Sequence, residues 1–536
     1  MSVAAVRPPC DEAVIRCGEV APPARGRPPA WTLAAAVLGS SMAFIDGTVV
    51  NVALPAVQRD LGTDATGAQW VVEGYALTLS ALLLVGGALG DRLGRRRVFG
   101  AGVALFALAS ILCGAAPSAG VLVAARVLQG AAAALLTPGS LALISSAYSG
   151  AARGRAIGTW SGATAITAAI GPLLGGLLVE HASWRWAFLI NVPIAAVVLT
   201  LVVLRVPESR DDSVHGRLDW PGAVLATAGL GLLVLGLIQS QSAGLGDPLV
   251  VGAVAGGLVV LGLFLLLERG EESAGTRVPM LSLVLFRSRT FSVTNLLTLL
   301  LYAALGGSLF FLPLELIEVR GFSPAQSGAA LLPFILILSV LSRFTGSVAA
   351  RTGPRLPLVS GPLLAALGFV LLAAGAGSSS YVTGVLPGVV TLGLGMAITV
   401  APLTTTVMGS VSTRHAGAAS GVNNAVARTA GLIAVAALGL VLTRGFDSSL
   451  DRRLGALALP TSARAAIDSQ RSRLALIDPP ASLDTATRTS VVSEVRGAFD
   501  DGFREALLAG GGLALAAALV AAAGLRSGLS PTVEED

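Results

Sequence analysis

The 536-residue chain is 54% hydrophobic and only 12% charged, about half the charged share of a soluble domain, with a mean hydropathy of +0.79. This excludes a soluble globular protein and describes helices that approach one another closely within lipid. The net charge of +5 sits in short segments between apolar runs, so it sets topology rather than binding nucleic acid, and the three cysteines share neither a disulfide framework nor a metal-ligand spacing.

Every strong cation is Arg and no Lys occurs, a mark of a high-GC genome that suggests an actinobacterial source. Residues 1–29 are rich in Pro, Ala and Arg and lack a signal-peptide pattern, so a disordered cytoplasmic tail is expected. A bilayer core about 30 Å thick needs about 20 apolar residues. On that measure six spans fall near 31–53, 68–89, 98–116, 119–147, 156–179 and 186–206, and two more near 220–239 and 248–267. After a charged segment come 290–314, 326–349, 356–376, 381–407, 417–443 and 506–525, fourteen spans in all, before a short tail at 527–536.

The expectation is an all-α polytopic membrane protein with an N-terminal six-helix bundle at 30–206 and inserted spans 7 and 8 at 207–289. A C-terminal six-helix bundle follows at 290–526, with a long loop at 444–502. With the stretch "GDRLGRRR" inside, the short inside loops hold 16 Arg and the short outside loops hold three, Arg59, Arg185 and Arg320. Both termini are then cytoplasmic. The long loop has eight Arg and eight acids and casts no vote. A weak internal repeat aligns Gly87–Arg96 with Gly346–Arg355, matching Gly87, Arg92, Gly94 and Arg96, while Ala350 stands where the first copy has Asp91. Duplicated halves are common in transporters with a midplane site.

Charges inside spans are costly and must face protein or water. Asp46 and Arg126 both lie about 12 Å below the outer surface at about 1.5 Å per residue, and Glu73 sits in the same outer third, near interfacial water. Asp46 admits two readings: half of an ion pair that fixes helix packing, or a proton site whose affinity changes as its distance from Arg126 changes. Asn51, Gln129, Asn295, Asn423, Asn424 and Arg428 are candidate cavity side chains. The three histidines fall at loops, no nucleophile with its base is visible, and neither enzyme activity, metal nor cofactor is expected.

Four stretches resemble the major facilitator superfamily, in particular its fourteen-spanner drug:proton antiporter branch, the EmrB/QacA type. They are "AFIDGTVVNVALPAVQRDL" (43–61), "GALGDRLGRRRVF" (87–99), "RVLQGAAAALLTPGSLALI" (126–144), and "GTWSGATAITAAIGPLLGGLL" (158–178) continuing to "WRWAFLINVP" (184–193). The likeness implies two rocking bundles that exchange protons for a small amphipathic or cationic molecule, in a protein of the bacterial plasma membrane that works as a monomer. Asp46, Glu73 and Arg126 would couple the proton. Gly87, Asp91, Arg92, Gly94, Arg95 and Arg96 would form a cytoplasmic gate, with Asp91 latching near Gly417. Gly162, Gly171, Gly175 and Gly176, with Pro172, would give a closely packed, bendable helix. A dedicated exporter of one antibiotic, siderophore or lipid, and a receptor or scaffold without transport, are the alternatives.

Overall fold

The computed structural model describes residues 29–148, 150–210, 219–274, 281, 283–378, 380–411, 416–457 and 459–525. Both expected tails lie outside the described residues, apart from Pro29. Helices of 15 residues or more are labelled in chain order. The first six are α1 (Pro29–Leu61), α2 (Ala65–Leu93), α3 (Arg95–Gly114), α4 (Ala119–Ala147), α5 (Gly150–His181) and α6 (Asn191–Arg205). Two follow as α7 (Trp220–Ala243) and α8 (Pro248–Ala274). The last six are α9 (Arg289–Leu314), α10 (Leu332–Thr352), α11 (Arg355–Ala374), α12 (Leu386–Gly409), α13 (Ala416–Gly455) and α14 (Thr485–Gly524).

Local chemistry places the helix starts. The Asp64 carboxylate accepts from Gly67 N at 2.9 Å to open α2, and Asp219 accepts from Gly222 N at 3.0 Å to open α7. Ser118 and Ser288 cap α4 and α9 in the same way. Between α2 and α3 the chain turns at Gly94, whose φ of +108° suits a residue without a Cβ. Among the described residues twelve helices are long and apolar enough to cross a membrane, and no strand occurs.

The two sets of six helices pair by one scheme. In the first, α1 packs on α5 and α6, α4 on α2 and α3, and α3 on α6. In the second, α9 packs on α13 and α14, α12 on α10 and α11, and α11 on α14. The weak repeat at Gly87 and Gly346 is thus one trace of a duplication visible throughout the packing. Helices α7 and α8 pack on each other, and α7 touches both α2 and α13, bridging the halves.

The long loop at 444–502, expected to be external and partly helical, is largely helical. Both α13 and α14 run 40 residues, about 60 Å at about 1.5 Å per residue, twice the hydrocarbon thickness. Between them, the 3₁₀ turn Arg471–Leu476 rests on α2 and on the π-helical turn Glu315–Val319 that follows α9. Leu474 is buried there at a φ of +53°, a region that L side chains enter only under constraint.

Candidate functional site

Asp46 lies in the middle of α1, fully buried, and four helices converge on it. Its Oδ2 accepts from an Arg126 Nη1 on α4 at 2.5 Å, and its Oδ1 accepts from Gln129 Nε2 at 2.8 Å and Asn191 Nδ2 at 3.2 Å. Gln129 and Asn191 also donate to Ser110 Oγ on α3, at 2.9 and 3.3 Å. Arg126 spends its other donors locally: Nε on the Val71 carbonyl at 2.9 Å and Nη1 on Gln129 Oε1 at 2.7 Å. Its guanidinium carbon lies 4.2 Å from the centre of the Tyr75 ring. Arg126 and Gln129 stand three residues apart on one face of α4, which is why both reach the same carboxylate.

This network ties α1, α2, α3, α4 and α6 into one charge-neutral core. Removing either ion alone would leave the other buried and unpaired, at a cost of about 3–5 kcal/mol.

Arg126 and Tyr75 also face a cavity of about 330 Å³ between the halves. From the first half, Asn51 and Glu73 line it; from the second, Tyr302 on α9 and Arg428 on α13. The remaining wall is Leu, Val, Phe, Ala and Gly, with Ser80 as its one hydroxyl besides the two tyrosines. Glu73 corrects an expectation: it is buried against this cavity, with Oε2 lacking a hydrogen-bond partner, rather than near interfacial water. The Asn51 Oδ1 is likewise buried and unpartnered. Asp46 itself does not line the cavity, so Arg126 and Tyr75 stand between the carboxylate and the cavity.

Other candidates fall elsewhere. Gln129 belongs to the Asp46 network. Asn423 donates to Thr298 Oγ1 at 2.8 Å and Asn295 Oδ1 at 3.2 Å, an α9–α13 link away from the cavity wall, and Asn424 is exposed. Of the six candidates, Asn51 and Arg428 line the cavity.

The "GDRLGRRR" stretch makes its resolved contacts within the first half. Arg95 N donates to Ser209 O at 2.8 Å, Arg96 N to Glu208 Oε1 at 3.0 Å, and the Arg96 guanidinium to Val203 O at 3.0 Å, where α6 ends. A Cβ at Gly94 would lie 2.7 Å from the Glu208 carboxyl, whereas at Gly87 it would make ordinary contact with Pro138 at 3.6 Å. Glycine is therefore favoured at Gly94 by its φ of +108°, since the Glu208 carboxyl ends a flexible side chain that can move aside, and tight packing is not required at Gly87. No bond of Arg92 occurs among the described residues. The Asp91 side chain and residues 412–415, which precede Gly417, lie outside the described residues, and the contacts of Gly162 and Gly417 are not among those described.

On α5 the glycines face two ways around Pro172. A Cβ at Gly171 would fall 2.0 Å from Thr48 Oγ1, and at Gly175 2.6 Å from Val49, both on α1. At Gly176 it would fall 2.2 Å from Pro324 O, in the short helix Pro324–Ala330 of the other half. Reciprocally, a Cβ at Gly328 would meet Pro172 O at 2.1 Å. Glu180 accepts from Ser323 Oγ at 2.7 Å and Ala325 N at 3.2 Å across the same junction, and Arg59 pairs with Glu318 at 2.7 Å. A reciprocal amide pair joins Gln69 on α2 to Gln241 on α7, at 2.9 and 3.2 Å. Gln241 also reaches Ala436 O on α13 at 3.4 Å, and Thr443 donates to Gln241 Oε1 at 3.4 Å. The end of the molecule where α1 gives way to α2 is closed by these contacts.

Sequence reading missed Ser110, Tyr75, Asn191 and Gln241. Asn191 had a signal, a single amide at the head of the apolar run "NVPIAAVVLTL", as Asp46 is the single acid in its own. Ser110 and Gln241 had none that sets them apart from other polar residues in spans.

A family profile, Major Facilitator Superfamily, matches residues 36–435. The chain belongs to the major facilitator superfamily. Its relatives include "Multidrug resistance protein Stp" of Mycobacterium tuberculosis, 36% identical over 79% of this chain and 78% of that one. "Tetracenomycin C resistance and export protein" of Streptomyces glaucescens is 34% identical over 93% and 91%, and "Multidrug efflux pump LfrA" of Mycolicibacterium smegmatis 34% over 93% and 96%. A bacterial homologue of the human lysosomal transporter Spinster, solved in an inward-facing, occupied conformation, shares the fold with a TM-score of 0.66 at 17% identity, covering 94% of this chain and 99% of that one. This superfamily member is accordingly a multi-pass membrane transporter with bacterial relatives, not an enzyme, and it handles small molecules.

Proposed function

We propose that this transporter expels small amphipathic or cationic organic molecules in exchange for protons, by alternating access between its two halves. The observation that carries the reading is the Asp46–Arg126 pair, dry, centrally placed and one guanidinium away from a cavity between the halves. Full-length relatives named as multidrug efflux pumps support it.

Protonating Asp46 cancels the charge that holds Arg126, and Arg126 then draws on the cavity for a counter-charge or acceptor. The five-helix network loosens at the same moment, which links proton binding to rearrangement of the first half. Glu73, on the cavity wall with an unpartnered oxygen, is a second acid that cargo meets directly. Fourteen spans place both termini in the cytoplasm of a bacterial plasma membrane, and the closed end outside. The protein works as a monomer with protons as its only coupling agent. The Arg95 and Arg96 contacts brace the first half, and Asp91 latches the inner face.

Proteoliposomes under an imposed pH gradient test the coupling. Asp46→Asn loses gradient-driven efflux but keeps gradient-free exchange of cargo, and full gradient-driven transport by this variant would overturn the assignment. A dedicated exporter is the second reading, supported by the relative named for tetracenomycin C export. Resistance of expressing cells to many unrelated compounds would decide against it.

A further inference from the structure

The cavity holds three charged side chains, and they are not equivalent. Arg126 is neutralised by Asp46 at 2.5 Å and has its remaining bonds to Val71 and Gln129. Glu73 carries an unpartnered oxygen and can take a proton. Arg428 has neither remedy. It forms no ion pair among the described residues, and a guanidinium does not give up its proton in a protein.

Around it the wall is mostly apolar, formed by Leu305, Leu309, Ala427, Leu432 and Val435. Half-buried on the cavity wall with no acid beside it, this cation gains from a ligand of opposite charge that displaces water from the cavity. Among the described residues that line the cavity the one carboxylate is Glu73, on the opposite half, and no ion pair joins it to Arg428.

We propose that the cargo carries an acidic group, a carboxylate or phenolate, which pairs with Arg428, while its apolar body fills the space between α1, α2, α9 and α13. This rests on the efflux reading above and narrows its substrate class from amphipathic or cationic molecules to amphipathic ones that carry an acid, zwitterions included. The planar guanidinium suits a carboxylate through two parallel hydrogen bonds, a geometry that an ammonium cannot reproduce. Arg428 lies on α13 and Asn51, Glu73 and Arg126 on the other half, so a cargo held at both ends spans the junction that must open and close. A cation with no acidic group meets Glu73 but leaves Arg428 unpaired.

The test uses the full-length protein in proteoliposomes under a fixed pH gradient, with two probes differing in one group: a rhodamine bearing a free carboxylate and the methyl ester of that rhodamine. Leak into protein-free vesicles is subtracted. The wild type is expected to move the free acid at least about tenfold faster than the ester at equal low concentration, the margin of one charge-assisted hydrogen-bonded pair. Arg428→Gln brings the acid-to-ester ratio to about one, and Arg428→Lys gives an intermediate ratio, which separates lost recognition from lost folding. Transport of the ester at a rate equal to or above that of the acid overturns the inference and leaves efflux standing. Movement of neither probe overturns both.

Discussion

The two halves share a packing scheme but divide the chemistry unequally. In the first, the opening helix α1 carries an acid that gathers Arg126, Gln129, Asn191 and, through them, Ser110, a core held by charge. In the second, the opening helix α9 carries Asn295, which with Thr298 meets Asn423 on α13, a neutral link. The second half instead lines the cavity with Arg428, which makes no ion pair among the described residues. The difference teaches that duplication preserved helix contacts while the buried polar groups those helices carry diverged, an ion pair on the opening helix of the first half and a neutral link on that of the second. The second half supplies a neutral link between α9 and α13, the cavity-facing Arg428, and a buried Glu315–Arg320 pair at the end of α9.

That contrast can be broken most severely at Asp46, whose replacement by Asn is expected to abolish gradient-driven efflux. A loss of similar size on Asn295→Ala would show that both halves respond alike. Next, Arg126→Ala leaves the Asp46 carboxylate buried and unpaired and is expected to destabilise the protein by about 3–5 kcal/mol. Thermal unfolding in detergent measures it, and the double variant Asp46→Asn with Arg126→Ala should recover part of that loss, since no lone charge remains.

Smaller effects are expected where the halves meet. Gly176→Val drives a side chain into the Pro324 backbone and should hold the closed end apart, raising the reactivity of a cysteine placed at the buried Ala68 toward a water-soluble maleimide. Gln241→Ala removes the amide pair that spans α2, α7 and α13; at about 1 kcal/mol for such hydrogen bonds, the open population at this end should rise about fivefold in the same assay. Smallest of all, Asn423→Ala removes neutral hydrogen bonds and should cost about 1 kcal/mol in stability without altering proton coupling. A changed pH dependence of transport in that variant would contradict the division between the halves.

Much of this was legible beforehand because lipid imposes simple rules. Long apolar runs had to be helices, Arg placement implied a direction, and Asp46 and Arg126 could be matched by counting residues from the ends of their spans. The repeat at Gly87 and Gly346 announced two halves. Counting residues, however, measures depth and not rotation around a helix axis. It therefore could not show that Glu73 faces a cavity, that Gln129 turns to Asp46, or that Asn295 and Asn423 find each other. Nor could it show that Gly171 and Gly175 face α1 while Gly176 faces the opposite half.

By itself the sequence determined the membrane, the helical class, the duplicated plan and the presence of a buried acid with a cation at its level, since each follows from hydropathy, rise per residue and charge. Only the tertiary structure decided which charges are satisfied. Arg126 and Arg428 are both arginines within apolar helices, and what separates them is the set of neighbours that packing brings from distant parts of the chain: a carboxylate within 2.5 Å for one, an open cavity for the other.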